Sequence, residues 1–197
     1  MKKNLLFFVK QYLNWKYWNC SRKEASLFFA LDRYDAKKDI ESLIDSCDYI
    51  ISNRYITSNL IHQGGKILQE NFTNSNLTEL EVYRKFNEFC SFVLDLEYKI
   101  LWALQPDEIY FLNINPETSK SLIKKKDKRA YIEWDSNEDI HEKDLNHLKY
   151  AYLAWKSLKH LFELINSEVY EISCYDENDN LKNIEEINND LLNLIEL

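Results

Sequence analysis

Glycine and proline are scarce in this sequence, which contains only two of each among 197 residues. Average usage is about 7% glycine and about 5% proline, and both residues are common in tight turns. A chain with so few turn formers cannot easily make many short hairpins, so we expect long helices. A phosphate-binding loop is also excluded, because the two glycines, Gly64 and Gly65, are adjacent.

Long apolar runs and clustered cysteines are missing as well. No uninterrupted apolar run approaches the roughly 20 residues that span a bilayer, and the apolar stretch in MKKNLLFFVK is too short for a signal peptide. We therefore expect a cytoplasmic protein without a membrane partner. The four cysteines form no C-x-x-C pair, and Cys47 and Cys90 fall in apolar stripes where we expect them to be buried. No nucleophile elbow is present, and no cofactor is predicted.

Apolar residues and negative charge are abundant. Hydrophobic residues make up 45% and aromatic residues 14% of the chain, enough for residues 1–197 to fold as a single domain. Asp and Glu outnumber Lys and Arg by 33 to 25, which gives a formal net charge of −8. Because a negative field repels phosphate groups, the charge disfavours nucleic acid and favours a basic protein partner.

Capping signals and apolar spacing predict about six helices. Ser21 with Glu24 and Thr78 with Glu81 have the spacing of capping boxes, and Asp35 is expected to open a further helix. Apolar residues at three- and four-residue spacing continue that helix to Gly64 and Gly65, which are expected to end it. The first predicted helix covers about 4–19, and the second begins at Ser21 and precedes Asp35. The other four cover about 36–63, 78–104, 138–166 and 182–196.

Three segments in the second half are rich in β-branched and aromatic residues, namely 108–114, 129–135 and 168–176. The lysine-rich segment 115–128 is expected to form a solvated loop. Contact with RNA is the alternative, but the segment lacks the interleaved aromatic residues that stack on RNA bases. The prediction is a predominantly α-helical, single-domain bundle with a small two- or three-stranded β element in its second half.

Polar residues interrupt the apolar face of two predicted helices. At about 100° per residue, Arg54, Ser58 and His62 continue the apolar stripe of the helix over 36–63. Glu97 lies at the centre of the apolar face of the next helix. A buried charge is costly unless it is paired, so we expect Arg54 and Glu97 to meet as a buried polar pair. One alternative is an active-site pocket in which His62 transfers protons and Arg54 stabilises negative charge. Another is that the helix breaks near Asn53, in which case the projection does not apply.

Arg54 and His62 resemble the R-x4–6-H motif of the HEPN family of all-α ribonucleases. The spacing differs, because seven residues separate the pair here, and Tyr55 replaces the polar residue that commonly follows the arginine. The resemblance covers one helix and implies an RNA-cleaving or RNA-binding helical domain as an alternative function, with Arg54 and His62 as its catalytic residues.

His141, Asp144 and His147 are the nearest approach to a metal site. Their spacing departs from H-E-x-x-H, in which two histidines four residues apart share one helix face. Metal ligands also need convergent geometry and supporting hydrogen bonds. The sequence therefore predicts no metal.

Carboxylates cluster between residues 32 and 48. Such a run is typical of a solvated helix face, but it also suits docking of a basic protein, because carboxylates speed association with a cationic surface. The predicted function is a non-enzymatic acidic binding protein, similar in type to bacterial immunity proteins and antitoxins that block nuclease toxins. A helical scaffold or oligomerisation protein is a further alternative, and homo-oligomerisation stays open. The predicted partner-binding residues are Asp32, Asp35, Asp39, Glu41, Asp45 and Asp48.

Overall fold

The computed structural model describes residues 7–13, 19–74, 76–123, 144–163 and 165–195. Over these ranges the chain is predominantly α-helical with a small β element in its second half, as predicted. The α-helices are α1 (Phe7–Leu13), α2 (Arg22–Ile44), α3 (Ile56–Phe72), α4 (Glu79–Leu94), α5 (Pro116–Ile123), α6 (Leu145–Glu163) and α7 (Ile184–Ile195). The strands are β1 (Glu108–Asn113) and β2 (Glu168–Ser173).

Two helices start at the predicted capping boxes. At the start of α2, Ser21 Oγ accepts a hydrogen bond from the Glu24 backbone N–H at 3.2 Å, and the Ser21 N–H donates to Glu24 Oε2 at 2.6 Å. Thr78 and Glu81 make the same reciprocal pair at the start of α4, at 3.4 and 2.8 Å. Each box satisfies backbone donors that would otherwise lack partners in the first helical turn.

The single helix predicted over 36–63 is wrong, because two helices and the residues between them occupy this range. Helix α2 is a single helix of 23 residues that passes through Asp35 and stops at Ile44, and α3 begins only at Ile56. The intervening residues include serine, aspartate, asparagine and two adjacent isoleucines, which are weak helix formers. The apolar side chains of this stretch are exposed, so no burial offsets their weak helix propensity.

Gly64 and Gly65 lie inside α3 and do not end it, so this prediction is also wrong. Both are buried where neighbouring helices approach most closely. A Cβ atom on Gly65 would lie 2.7 Å from the backbone nitrogen of Ala151 in α6, and one on Gly64 would lie 2.7 Å from Cε2 of Phe86 in α4. The glycines therefore allow α3 to pack closely between α4 and α6, at the centre of the fold.

Helix α4 continues as a π-helix from Asp95 to Ile100. Hydrogen bonds in a π-helix span five residues, so this turn is wider than an α-helical turn. Both Leu96 and Glu97 are buried here. Helical structure ends at Ile100, a few residues before the predicted limit of 104, and an irregular segment leads through Pro106 to β1.

Strands β1 and β2 pair in parallel, from Glu108 opposite Glu168 to Asn113 opposite Ser173. Two of the predicted β segments are thereby confirmed, and the third, 129–135, lies outside the described residues. Residues 116–123 form helix α5, which corrects the prediction of a loop there. Helix α6 supports the sheet, since Phe111 stacks on Trp155 with ring centroids 4.0 Å apart.

The hydrophobic core lies among α3, α4, α6 and the sheet. Cys90 is buried in it as predicted, whereas Cys47 is exposed, which corrects the prediction for that thiol. In the described part of the chain, no helix has the length and apolar character needed to cross a membrane. The largest core side chains with less than 2% exposure include Trp155, Phe86, Phe162, Ile56, Leu60, Leu68 and Leu158.

Candidate functional site

A buried ion pair fastens the middle of α2 to the π-helix. Glu97 is fully buried, and Arg33 Nε donates to its two carboxylate oxygens at 3.1 and 3.2 Å, while Arg33 Nη2 also contacts Oε1. The predicted buried charge at Glu97 is present, but the predicted partner Arg54 is wrong. Arg54 is exposed in the segment before α3, with a left-handed φ of 71°.

Aromatic side chains complete this anchor. The Arg33 guanidinium lies over the ring of Tyr55, 5.9 Å from its centroid. The Tyr55 hydroxyl donates to the carbonyl of Leu104 at 2.9 Å. Burial raises the pKa of the neighbouring Tyr98 hydroxyl, and the Glu97 charge raises it further. These contacts join α2, the start of α3 and the segment after the π-helix at one place.

Beyond the anchor, α2 leaves the core. Its buried residues are Ala25, Ser26 and Ala30, all of which precede Arg33. Every residue from 41 to 54 is exposed, and we call this stretch the projecting segment. It begins in the last turn of α2 and continues through the connection to α3.

The projecting segment holds five large apolar side chains in water. Full burial of one such side chain stabilises a protein by about 1.5–3 kcal/mol, and none of the five gains that energy in the isolated chain. Three carboxylates accompany them. We define the docking surface as Leu43, Ile44, Tyr49, Ile50 and Ile51, which are 44, 50, 53, 42 and 76% exposed, together with Glu41, Asp45 and Asp48.

The acidic residues predicted to bind a partner fall into two groups. At about 100° per residue, Asp32, Asp35 and Asp39 lie within about 60° of one another around α2, whereas Glu41 lies about 120–180° away from them. Asp45 caps the C-terminal end of the helix. Asp32 is half-buried, and this burial raises the pKa of its carboxyl group. The other four are exposed, as is Asp48 beyond the helix. Glu41, Asp45 and Asp48 lie within the projecting segment, whereas Asp32, Asp35 and Asp39 precede it.

A histidine pair occupies the contact between α3 and α6. His62 Nδ1 lies 3.3 Å from His147 Nε2, and the two rings stack with centroids 5.5 Å apart. Burial lowers the pKa of His147 to about 3, and the positive charge of Lys66 contributes. Burial also lowers the pKa of His62 well below its ordinary value, followed by the charge of Arg54. Both rings are therefore neutral at pH 7, and one donates to the other.

The low pKa of His62 bears on the active-site alternative. A ring with such a depressed pKa is a weak base at neutral pH. Arg54 precedes the first residue of α3, so the arginine and histidine of the HEPN-like motif do not share a helix as the resemblance implied. Among the metal candidates, Asp144 accepts a hydrogen bond from Gln69 at 3.4 Å, and His141 lies outside the described residues. The described residues contain no group of three side chains suited to hold a metal ion.

No protein-family model matches this chain, and no curated protein matches it. The sequence does not reveal the docking surface, because Leu43, Ile44, Ile50 and Ile51 belong to the apolar stripe of the helix predicted over 36–63, and such a stripe is typical of a buried face. One sequence feature does indicate the break in this helix, namely the weak helix propensity of the residues that interrupt the stripe.

Proposed function

We propose that the protein is a non-enzymatic acidic binding protein that docks a basic protein partner through its docking surface. One observation carries this proposal: five large apolar side chains and three carboxylates are held in water along the projecting segment. Contiguous exposed apolar side chains with polar neighbours are typical of protein–protein interaction sites.

The two kinds of side chain have different roles in such an interface. Burial of the apolar group against a partner supplies affinity, because fully desolvated side chains at the centre of an interface contribute most of the binding energy. Carboxylates at the rim speed encounter with a cationic surface and penalise acidic competitors. Glu41 has a cation in reach, as Lys37 Nζ lies 3.6 Å from its Oε1, so Asp45 and Asp48 are the better candidates for contacts with a partner.

Charge complementarity favours a basic protein over a second copy of the chain. The net charge is −8, and two copies meeting through this surface would place Asp45 and Asp48 near the same carboxylates of the other copy. Like charges in an interface are destabilising. The acidic protein is thus suited to an immunity-like or antitoxin-like role, since a nuclease toxin needs a cationic surface to bind the phosphate backbone of its nucleic-acid substrate.

Affinity capture with defined variants tests the proposal. The tagged chain is expected to retain one basic protein from an extract of its native host, in a complex that survives moderate salt. Asp45→Lys combined with Asp48→Lys should slow association by about tenfold or more. Ile44→Ser combined with Ile51→Ser should mainly speed dissociation, because it removes apolar contact.

The matched control reverses two exposed carboxylates elsewhere on the chain. Glu177→Lys combined with Glu185→Lys makes the same change in net charge near α7 and should leave association within about twofold of wild type. Equal losses in the control and the docking-surface variant would show that only bulk charge matters. Capture of no basic protein, or of one indifferent to all these variants, would contradict the proposal.

The HEPN-like alternative predicts a different result. Purified protein would cleave RNA, and His62→Ala would abolish that cleavage while leaving the far-ultraviolet circular dichroism spectrum unchanged. The proposed binding function predicts that RNA stays intact. A concentration-dependent dimer that buries Ile51 would instead support the oligomerisation alternative.

A further inference from the structure

The backbone of the projecting segment has unused hydrogen-bonding capacity. Over the described part of the chain, no backbone N–H from Cys47 to Arg54 donates a hydrogen bond. One carbonyl in this stretch is used, that of Arg54, which accepts from Ser52 Oγ at 2.9 Å. The chain bends at Asp48 and again at residues 53–54, and it contains no turn between those points.

The side chains of the same stretch favour a β-strand. Tyrosine and isoleucine have high strand propensity, and Tyr49, Ile50 and Ile51 are consecutive. In a strand, successive side chains point to opposite faces. Tyr49 and Ile51 would then form one apolar face, while Ile50 would lie on the other between Asp48 and Ser52. An apolar group would thus be available on each face of an added strand.

We propose that residues 48–53 bind the partner by adding a β-strand to an exposed sheet edge of a basic protein. The proposal rests on the proposed function and specifies how the docking surface is used. In β-strand addition, main-chain hydrogen bonds supply affinity and pockets for alternate side chains supply specificity. The segment offers both, because its backbone groups and its apolar side chains are exposed together.

The acidic flank fits the usual chemistry of a sheet edge. Natural edge strands are commonly protected against pairing by charged residues, especially lysine. A strand that approaches such an edge must neutralise those cations before it can form the ladder. Asp45 and Asp48 lie at the start of the segment and can meet them. The partner is therefore a basic protein whose exposed edge strand carries lysine or arginine.

Amide hydrogen exchange tests the mode of binding. The probe is the captured basic protein in complex with the ¹⁵N-labelled full-length chain. Without partner, the amides of 47–54 should exchange at nearly the rate of an unfolded chain. In the complex, alternate amides, either 48, 50 and 52 or 49, 51 and 53, should slow by about 100-fold or more. Binding without alternating protection would overturn strand addition but leave the proposed function standing.

Proline substitutions provide a second test that does not endanger folding, because the N–H groups removed have no intramolecular partner. Of Ile50→Pro and Ile51→Pro, only one removes an N–H that points toward the partner. That variant should weaken affinity by about tenfold relative to its alanine control, the size of one lost hydrogen bond. The other should match its alanine control.

The other possible results of these experiments would each overturn one part of the proposal. Two proline variants that both match Ile50→Ala and Ile51→Ala would overturn strand addition. Two that both weaken binding beyond those controls would also overturn it, because a ladder uses alternate residues. Alternating protection without partner, at high protein concentration, would identify a second copy as the occupant and overturn the choice of a basic protein. Failure to capture any basic partner would refute the proposed function itself.

Discussion

Replacement of Arg33 by methionine tests the anchor on which the projecting segment depends. Methionine retains much of the aliphatic length of arginine but removes the hydrogen bonds from Arg33 to the Glu97 carboxylate, which is fully buried. Removal of one partner from a buried ion pair typically costs about 3–5 kcal/mol, because the remaining charge stays desolvated. The Arg33 side chain is 15% exposed, which places the expected cost near the lower end of this range.

Such a loss is measurable against the whole protein. Domains unfold with a free energy of about 5–15 kcal/mol, so the variant should fold but with a lower denaturation midpoint. For a chain of this size, each 1 kcal/mol lowers Tm by about 2–4 °C, and a loss of 3 kcal/mol should therefore lower it by about 6–12 °C. Urea unfolding followed by tryptophan fluorescence gives the free energy, and thermal unfolding followed by circular dichroism gives Tm.

Two further variants separate the ion pair from other effects. Lys37→Met removes a cation from the same helix, but its 3.6 Å pair with the exposed carboxylate of Glu41 lies at the surface and should be worth less than about 1 kcal/mol. The double variant Arg33→Met with Glu97→Leu leaves no unpaired charge and should recover most of the stability. The reasoning is refuted if Arg33→Met costs no more than Lys37→Met, or if the double variant is less stable than either single one.

The remaining predictions concern the centre of the fold. Gly65→Ala should cost about 1–3 kcal/mol, because the new Cβ meets the backbone of Ala151. Gly64→Ala should cost less, because the new Cβ meets only the ring edge of Phe86, a side chain and not backbone. Urea unfolding compares the two, and equal costs would contradict this account. Because burial lowers the folded pKa of His147 from 6.5 to about 3, the stability that its neutral ring contributes is full above pH 6.5 and falls as the pH drops toward 3. From pH 7 to 5.5 His147 should account for roughly 1–2 kcal/mol of lost stability, so His147→Phe should lose less than wild type, and an equal loss would count against the burial of this ring.

The elements that could be predicted from the sequence are those encoded by neighbouring residues. The capping boxes at Ser21 and Thr78 depend on residues three positions apart, and both helix starts were predicted from that spacing. Strands β1 and β2 were predicted from β-branched and aromatic composition. Each of these features is encoded within a few neighbouring residues, so no knowledge of the tertiary structure was needed.

Errors arose wherever two explanations share one local pattern. Glycine is common after a helix, but it also occurs where helices approach closely, and only the position of Ala151 distinguishes these roles for Gly65. A stripe of isoleucines indicates burial whether the burying surface is the chain's own core or a partner. The pattern therefore could not show that Ile50 and Ile51 lie outside the core.

The candidate site was predicted only in part, for the same physical reason. Periodicity showed that Glu97 lies on an apolar face and needs a cation, but it could not choose between Arg33 and Arg54. That choice depends on how α2 crosses the π-helix, which is a property of the packed structure. The histidine contact across α3 and α6 joins residues 62 and 147 and carried no signal in the sequence.

The parallel pairing of the two strands has a consequence for the order of folding. Glu108 pairs with Glu168, sixty residues later, and α5 and α6 lie between them. Contacts between such distant residues form slowly, because the entropy of loop closure must be overcome before the ladder contributes any stability. During synthesis β1 leaves the ribosome well before β2 exists. Its backbone must then wait for most of the remaining chain, so strand pairing is expected to follow the assembly of the helices.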